Sequence, residues 1–172
     1  MPAPTPVAEL LFSDADATPM STDATTVKPW AQARACLQRA QKAWLSTVRP
    51  DGRPHAVPLM PVWADESVCF TTRPGSRKGR NLAHSGHCVL TAAGPDLDLV
   101  LEGTAVPVLA PARQREVADA FLTKYGWPLS LRGGRVHDDG LPGSPEYGFY
   151  RITPLRAYGY GSDGLTATRW RF

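Results

Sequence analysis

The sequence is short of what a disulfide framework, a zinc centre or a membrane anchor requires. Its three cysteines, Cys36, Cys69 and Cys88, are odd in number and fit no CxxC pairing, so neither a disulfide framework nor a thiolate metal site is indicated. Its four histidines, His55, His84, His87 and His137, offer no pair at ligand spacing with an acidic third partner, and no metal site is expected. No stretch approaches the ~20 apolar residues of a membrane span, and the N-terminus lacks the basic flank and apolar run of a secretory signal. The net charge of +3 is small and its basic residues are interrupted by acidic ones, which gives no basis for a nucleic-acid partner. There is no GxSxG nucleophile elbow and no carboxylate pair set for acid–base work, so hydrolysis is not indicated. The expectation is a cytoplasmic protein with buried, reduced thiols.

Glycine and proline, by contrast, are plentiful, at 15 and 17 residues in a chain of 172. Short strands joined by many turns have this composition, so the fold class expected is α+β, mainly β. The length fits one domain. Residues 1–27, rich in Ala, Pro, Thr, Ser and Asp, read as a flexible arm with a short apolar patch at Leu10, Leu11 and Phe12. The domain proper is residues 28–172.

Along that domain, Pro29 opens a helix that places Trp30, Ala33, Leu37 and Ala40 on one face. Residues 44–48 and 55–62 read as a hairpin around a turn at 49–52. Pro54, Pro58 and Pro61 confine its second strand to an edge or a bulge. Strands are also predicted at 67–72, 87–93, 97–108, 147–153, 155–161 and 166–172, with helices at 77–84 and 111–125. The glycine-rich stretch 126–145 reads as a long loop.

One segment carries chemistry: residues 70–82, FTTRPGSRKGRNL. A strand ending in Thr71 and Thr72 leads through Gly75 and Ser76 into a helix that begins with Arg77 and Lys78. Hydroxyls, free backbone N–H groups, the positive end of a helix dipole and two cations thus converge, which is what a phosphate group binds. Arg80, three residues beyond Arg77, extends the positive surface along a longer anionic tail. Asn81 reads as a brace for the loop. A solvated basic helix start that serves only the fold is the competing interpretation.

This segment, the preceding hairpin WLSTVRPDGRPHAVP and the following LEGTA resemble the pyridoxamine 5'-phosphate oxidase-like split-barrel family over roughly residues 43–109, with the final TRWRF added. The resemblance implies a six-stranded antiparallel split β-barrel with a few flanking helices. It also implies a homodimer, with a flavin-type cofactor in a groove between the subunits. By matched position, Thr71, Thr72, Ser76, Arg77 and Lys78 would hold the phosphate. Ser46, Thr47, Val57 and Pro58 would run beside the ring system, and Arg169 and Trp170 would close over the cofactor. A C-terminal tryptophan between two arginines fits such docking, because packing alone rarely orders a tail.

One position departs from true pyridoxamine phosphate oxidases, which carry a phosphate-gripping arginine where this chain has Val57. The departure implies a closer likeness to the branch that binds coenzyme F420, a deazaflavin whose phosphate and glutamate tail suit a string of cations. FMN is the second cofactor expected. Haem is a third, with His84 or His87 as ligand, since some split-barrel relatives bind or degrade haem. The implied activity is hydride transfer from the reduced cofactor to a small organic acceptor, with the protein holding the ring and excluding water. The substrate would be bounded by the helix after Pro111, the loop 126–145 and the partner chain. No catalytic side chain is assigned; Tyr125 and solvent are both candidate proton sources. A non-catalytic flavin, deazaflavin or haem carrier is the alternative.

Overall fold

A computed structural model describes residues 5–12 and 23–172. The elements in chain order are β1 (Val7–Leu10), a 3-10 turn (Ala24–Thr26), α1 (Trp30–Arg39), β2 (Ala43–Val48), β3 (Pro54–Leu59), β4 (Val62–Ala64), β5 (Ser67–Thr72), α2 (Arg77–His84), β6 (His87–Ala92), β7 (Leu97–Pro107), α3 (Pro111–Tyr125), β8 (Ser130–Arg132), β9 (Arg135–His137), β10 (Glu146–Gly161) and β11 (Ala167–Arg171). No helix among the described residues is long and apolar enough to cross a membrane.

Six strands form the barrel, in the order β5–β10–β7–β6–β2–β3, and every adjacent pair is antiparallel. β3 ends the row, as its prolines require, since a proline has no N–H to give a second neighbour. At the other end, β5 is covered only over Ser67–Cys69, by β4. The facing edges of β3 and of Phe70–Thr72 are therefore not joined, and the barrel is split there. The remaining strands extend this six-stranded frame rather than replace it.

The core follows the alternation of the strands. Leu45, Phe70, Leu90, Leu99, Leu101 and Ile152 fill the barrel, and α1 covers it with Ala33, Cys36 and Leu37. A second cluster lies under α3, where Phe121 stacks on Phe149 at 5.9 Å and meets Trp127 edge-on at 5.5 Å. Each aromatic pair of this kind contributes about 0.5–1.5 kcal/mol beyond the area it buries. The end of α3 is tied down by polar groups: Lys124 Nζ donates to the carbonyls of Ala40 and Pro61 at 2.6 and 2.8 Å, and the Tyr125 hydroxyl donates to Pro61 at 2.7 Å.

Four details differ from the sequence expectations. Within the expected arm, Val7–Leu10 is an edge strand, with Val7 opposite Arg171 and Leu10 opposite Thr168; residues 13–22 of that arm lie outside the described residues. The predicted strand 55–62 is two strands, because Pro61 interrupts the ladder between β3 and β4. The predicted strands 147–153 and 155–161 are one, since Pro154 sits at a bulge that keeps β10 continuous against β7. The expected loop 126–145 contains the β8–β9 hairpin, closed by Gly133 and Gly134 at φ +56° and +76°, as a two-residue turn of this hand demands.

Candidate functional site

The split in the barrel is a groove of about 340 Å³ lined by His55, Val57, Thr71, Thr72, Arg73, Ser76, Arg77, Lys78 and Tyr147. β3 supplies one wall and β5 the other; α2 closes the end. The turn that joins β5 to α2 is held by its own hydroxyls. Ser76 is the N-cap, its Oγ accepting from the Gly79 N–H at 3.0 Å, and it shares a 2.9 Å hydrogen bond with the Thr72 hydroxyl. A cap of this kind is worth about 1 kcal/mol to the helix. It leaves the first-turn N–H groups of Arg77 and Lys78 with no carbonyl inside the helix to bond.

The loop before α2 is packed against the helix more tightly than any side chain would permit. A Cβ placed on Gly79 would stand 2.5 Å from the Arg73 carbonyl oxygen and 2.6 Å from that of Pro74. Glycine at this position therefore sets the path of residues 73–76, and with it the positions of Arg73 and Ser76 in the groove.

Three cations converge here. Lys78 Nζ donates to the Thr71 carbonyl at 3.4 Å and lies 5.7 Å from the Phe70 ring centre. Burial of its ammonium holds the Lys78 pKa below the ordinary value. Arg73 donates through Nε to the Tyr147 hydroxyl at 3.3 Å, with its guanidinium over the Tyr147 ring. Arg77 lines the same groove at the helix start, and among the described residues no acidic side chain does so. A cation partly stripped of water, two more beside it, and a row of hydroxyls gain most from an anion with several oxygens. The donor set thus fits a phosphate group.

Of the residues singled out in the sequence, Val57, Thr71, Thr72, Ser76, Arg77 and Lys78 are brought together in this groove. Thr47 and Asn81 stand behind it in the core: Asn81 Nδ2 donates to Thr47 Oγ1 at 3.0 Å, and the Thr47 hydroxyl donates to the His55 carbonyl at 3.3 Å. Asn81 therefore braces α2 against β2 and β3. Arg80 does not extend the groove, because its guanidinium turns back and donates to the Gly75 carbonyl. Ser46 lines a different cavity and Pro58 is exposed on the outward side of β3.

Arg169 and Trp170 are not over the groove. Trp170 is fully buried, donates through Nε1 to the Lys28 carbonyl at 3.0 Å, and meets Trp30 edge-on at 5.8 Å. Arg169 is paired with Glu9 at 2.6 Å. The reason is β1: with β10 on one side and β1 on the other, β11 is an interior strand rather than a loose tail.

Three further residues line the groove, His55, Arg73 and Tyr147. Arg73 belongs to the basic segment 70–82 itself, whereas no local signal marks His55 or Tyr147. Tyr147 and His55 reach the groove only through the pairing of β10 with β5, and through the placing of β3 at the split.

A second cavity, of about 550 Å³, opens on the outward face of β2, β6 and β7 and is lined mainly by apolar groups, with Ser46, Thr47, His87, Glu102, Thr104 and Thr153 as its polar residues. Large apolar side chains stand exposed on this side of the barrel, including Trp44 at 51% and Leu155 at 59%. Among the described residues, no group of three or more His, Cys, Asp or Glu side chains could hold a metal ion.

The family model of pyridoxamine 5'-phosphate oxidase matches residues 29–161 of the chain. No curated protein sequence matches it. Solved structures with the same fold include a conserved hypothetical protein from Mycobacterium tuberculosis, with a TM-score of 0.64 and 19% identity over 78% of this chain and 86% of that one. An F420 reductase is similar at a TM-score of 0.55 and 21% identity, over 72% and 94% of the two chains. A pyridoxamine 5'-phosphate oxidase-related, FMN-binding protein from Nostoc punctiforme is similar at 0.56 and 19%, over 83% and 89%.

Proposed function

The chain belongs to the pyridoxamine 5'-phosphate oxidase family, and from that premise we propose that it is an oxidoreductase that uses coenzyme F420, or else FMN, to reduce a small organic acceptor. The observation that carries this reading is the convergence of Arg73, Arg77, Lys78 and four hydroxyls in the split between β3 and β5. When bound, such a cofactor supplies the hydride. The chain's own part is to hold and orient it.

Thr71, Thr72, Ser76, Arg77 and Lys78 would grip the phosphate, with Arg73 and Tyr147 flanking it. Val57 favours F420 over FMN in this reading, since by the resemblance true pyridoxamine phosphate oxidases carry a phosphate-gripping arginine at the position where this chain has an apolar side chain in the groove. Arg73 supplies a cation from the opposite wall instead. The outward apolar face, with Trp44, Val48 and Leu155 exposed, is the surface a second copy would cover, because large apolar side chains gathered on one exposed face of a small protein mark an interface. A homodimer would shield the ring from water. The three free and buried thiols are consistent with work in a reducing cytoplasm.

The test is turnover. Reduced F420 and reduced FMN are offered in turn, with quinone, enone and biliverdin-like acceptors, and the rate is compared with that of free cofactor. Acceleration for any acceptor supports the oxidoreductase; saturable binding without acceleration for every acceptor identifies a carrier.

A further inference from the structure

His55 occupies a place in the groove that the phosphate-binding loop does not account for. It lines the groove from β3, and Arg77 and Lys78 of α2 line the same groove. Its Nδ1 is buried and has no hydrogen-bond partner among the described residues. The strand beneath it is fixed, since the Thr47 hydroxyl donates to the His55 carbonyl and Asn81 in turn donates to Thr47. A polar ring nitrogen is thus held, unsatisfied, beside a site built for an anion, and a buried polar atom without a partner costs free energy until a ligand or a proton completes it.

The electrical surroundings of the ring are one-sided. Arg49 faces it from the end of β2, and Arg77 and Lys78 face it from α2. Arg73 and Tyr147 line the same groove, from the loop after β5 and from β10, and among the described residues no carboxylate does. Burial first, and then the charges of Arg49, Arg77 and Lys78, hold the imidazole pKa below its ordinary value. A phosphate group in this groove reverses the sign of the nearest charge, and an opposite charge within a few ångströms favours the protonated imidazole. The arginines carry their full charge throughout, so they cannot respond in this way. Histidine can.

We propose that His55 is a proton-coupled phosphate ligand: neutral in the free groove, it takes up a proton from solvent as a phosphate group binds, so that ligand and proton enter together. This rests on the reading of the groove as the phosphate end of a flavin or deazaflavin site. It adds that affinity is tuned by pH through a residue outside the basic loop. In the pH range between the free and the liganded imidazole pKa, each proton taken up makes affinity fall by up to about tenfold per pH unit as pH rises.

The experiment measures protons rather than turnover. FMN and F420 are each titrated calorimetrically into the protein in buffers of differing ionisation enthalpy, between about pH 6 and 8, for the natural chain and for His55→Gln. Both ligands have ionisations of their own in this range; these are common to the two proteins and cancel in the difference. The natural chain should take up more protons than the variant, with a difference approaching one per site at its maximum, and its steeper loss of affinity with rising pH should flatten in His55→Gln. Equal proton uptake by the two proteins would overturn the role of His55 while leaving the cofactor reading intact. No saturable binding of either ligand to the natural chain would overturn the cofactor reading, and this proposal with it. Because the chain has only four histidines, long-range proton–nitrogen NMR of the natural protein gives a check that needs no variant. A ring titration that moves upward on ligand addition supports the proposal; four ring titrations that do not move refute it.

Discussion

Gly79→Ala asks whether the loop between β5 and α2 is held where it is by backbone-to-backbone packing. The new methyl would meet two carbonyl oxygens, of Arg73 and Pro74, at 2.5 and 2.6 Å, with the Pro74 carbonyl carbon at 3.0 Å. None of these is the end of a flexible side chain, so the loop itself must move. Overpacking of this kind costs about 1–3 kcal/mol, and two main-chain contacts place the substitution near the upper end. Alanine in a helix returns about 1 kcal/mol relative to glycine. The net expectation is a loss of roughly 2 kcal/mol in urea unfolding. Affinity for FMN or F420 should fall as well, because Arg73 and Ser76 move with the loop. Gly75→Ala is the internal control: a methyl there has nothing within 4 Å, and both stability and binding should be nearly unchanged. A Gly79→Ala protein as stable as the natural chain, with undiminished affinity, would refute the claim that this contact sets the groove.

Other outcomes follow from the same packing. Trp170→Ala should cost about 3–5 kcal/mol, because the indole is fully buried against Trp30 and loses its bond to Lys28; a loss under ~1 kcal/mol with weakened cofactor binding would instead place Trp170 at the ligand. Burial lowers Lys124 to about 8, so between about 8 and its ordinary 10.5 the unfolded chain holds more protons on this residue than the folded one. Stability from this group therefore rises with pH through that window, and the unfolding free-energy difference between the natural chain and Lys124→Met should rise with it; a flat or falling difference would contradict the assignment. Burial pushes the Cys69 thiol to about 12 and the Cys88 thiol to about 11, so a disulfide reagent near neutral pH should label neither in the folded state and both after denaturation; rapid labelling of the native protein would count against a closed core.

Much of the fold was legible because its local signals agree with one another. α2 begins where Pro-Gly-Ser supplies a turn and an N-cap, and the hairpin of β2 and β3 is announced by Arg-Pro-Asp-Gly between two strand-like runs. The basic loop was legible for the same reason: the residues proposed to hold a phosphate are contiguous. What could not be read was anything decided by distant pairing. Trp170 belongs to the core only because residues 7–10, set in a stretch rich in Ala, Pro, Thr, Ser and Asp that passes for a loose arm, cover β11 as an edge strand. Arg80 has the spacing of a ligand, yet its guanidinium finds the Gly75 carbonyl first. His55 reaches the groove because β3 ends the row of barrel strands and faces an uncovered stretch of β5. The β8–β9 hairpin is a different case, for Gly133 and Gly134 between Leu131–Arg132 and Arg135–Val136 are a hairpin turn in plain view, and the high glycine content around them masked it.

The central claim is that the split between β3 and β5 binds the phosphate of a flavin-type cofactor. Its most direct test is a fluorescence titration of F420 and of FMN against the natural chain and against the double variant Arg77→Ala, Lys78→Ala. With each charge-assisted bond worth about 1.5–3 kcal/mol, the natural chain should bind one of the two saturably and the double variant roughly 10²- to 10⁴-fold more weakly. An unchanged dissociation constant in a folded double variant, or no binding of either cofactor to the natural chain, would contradict it.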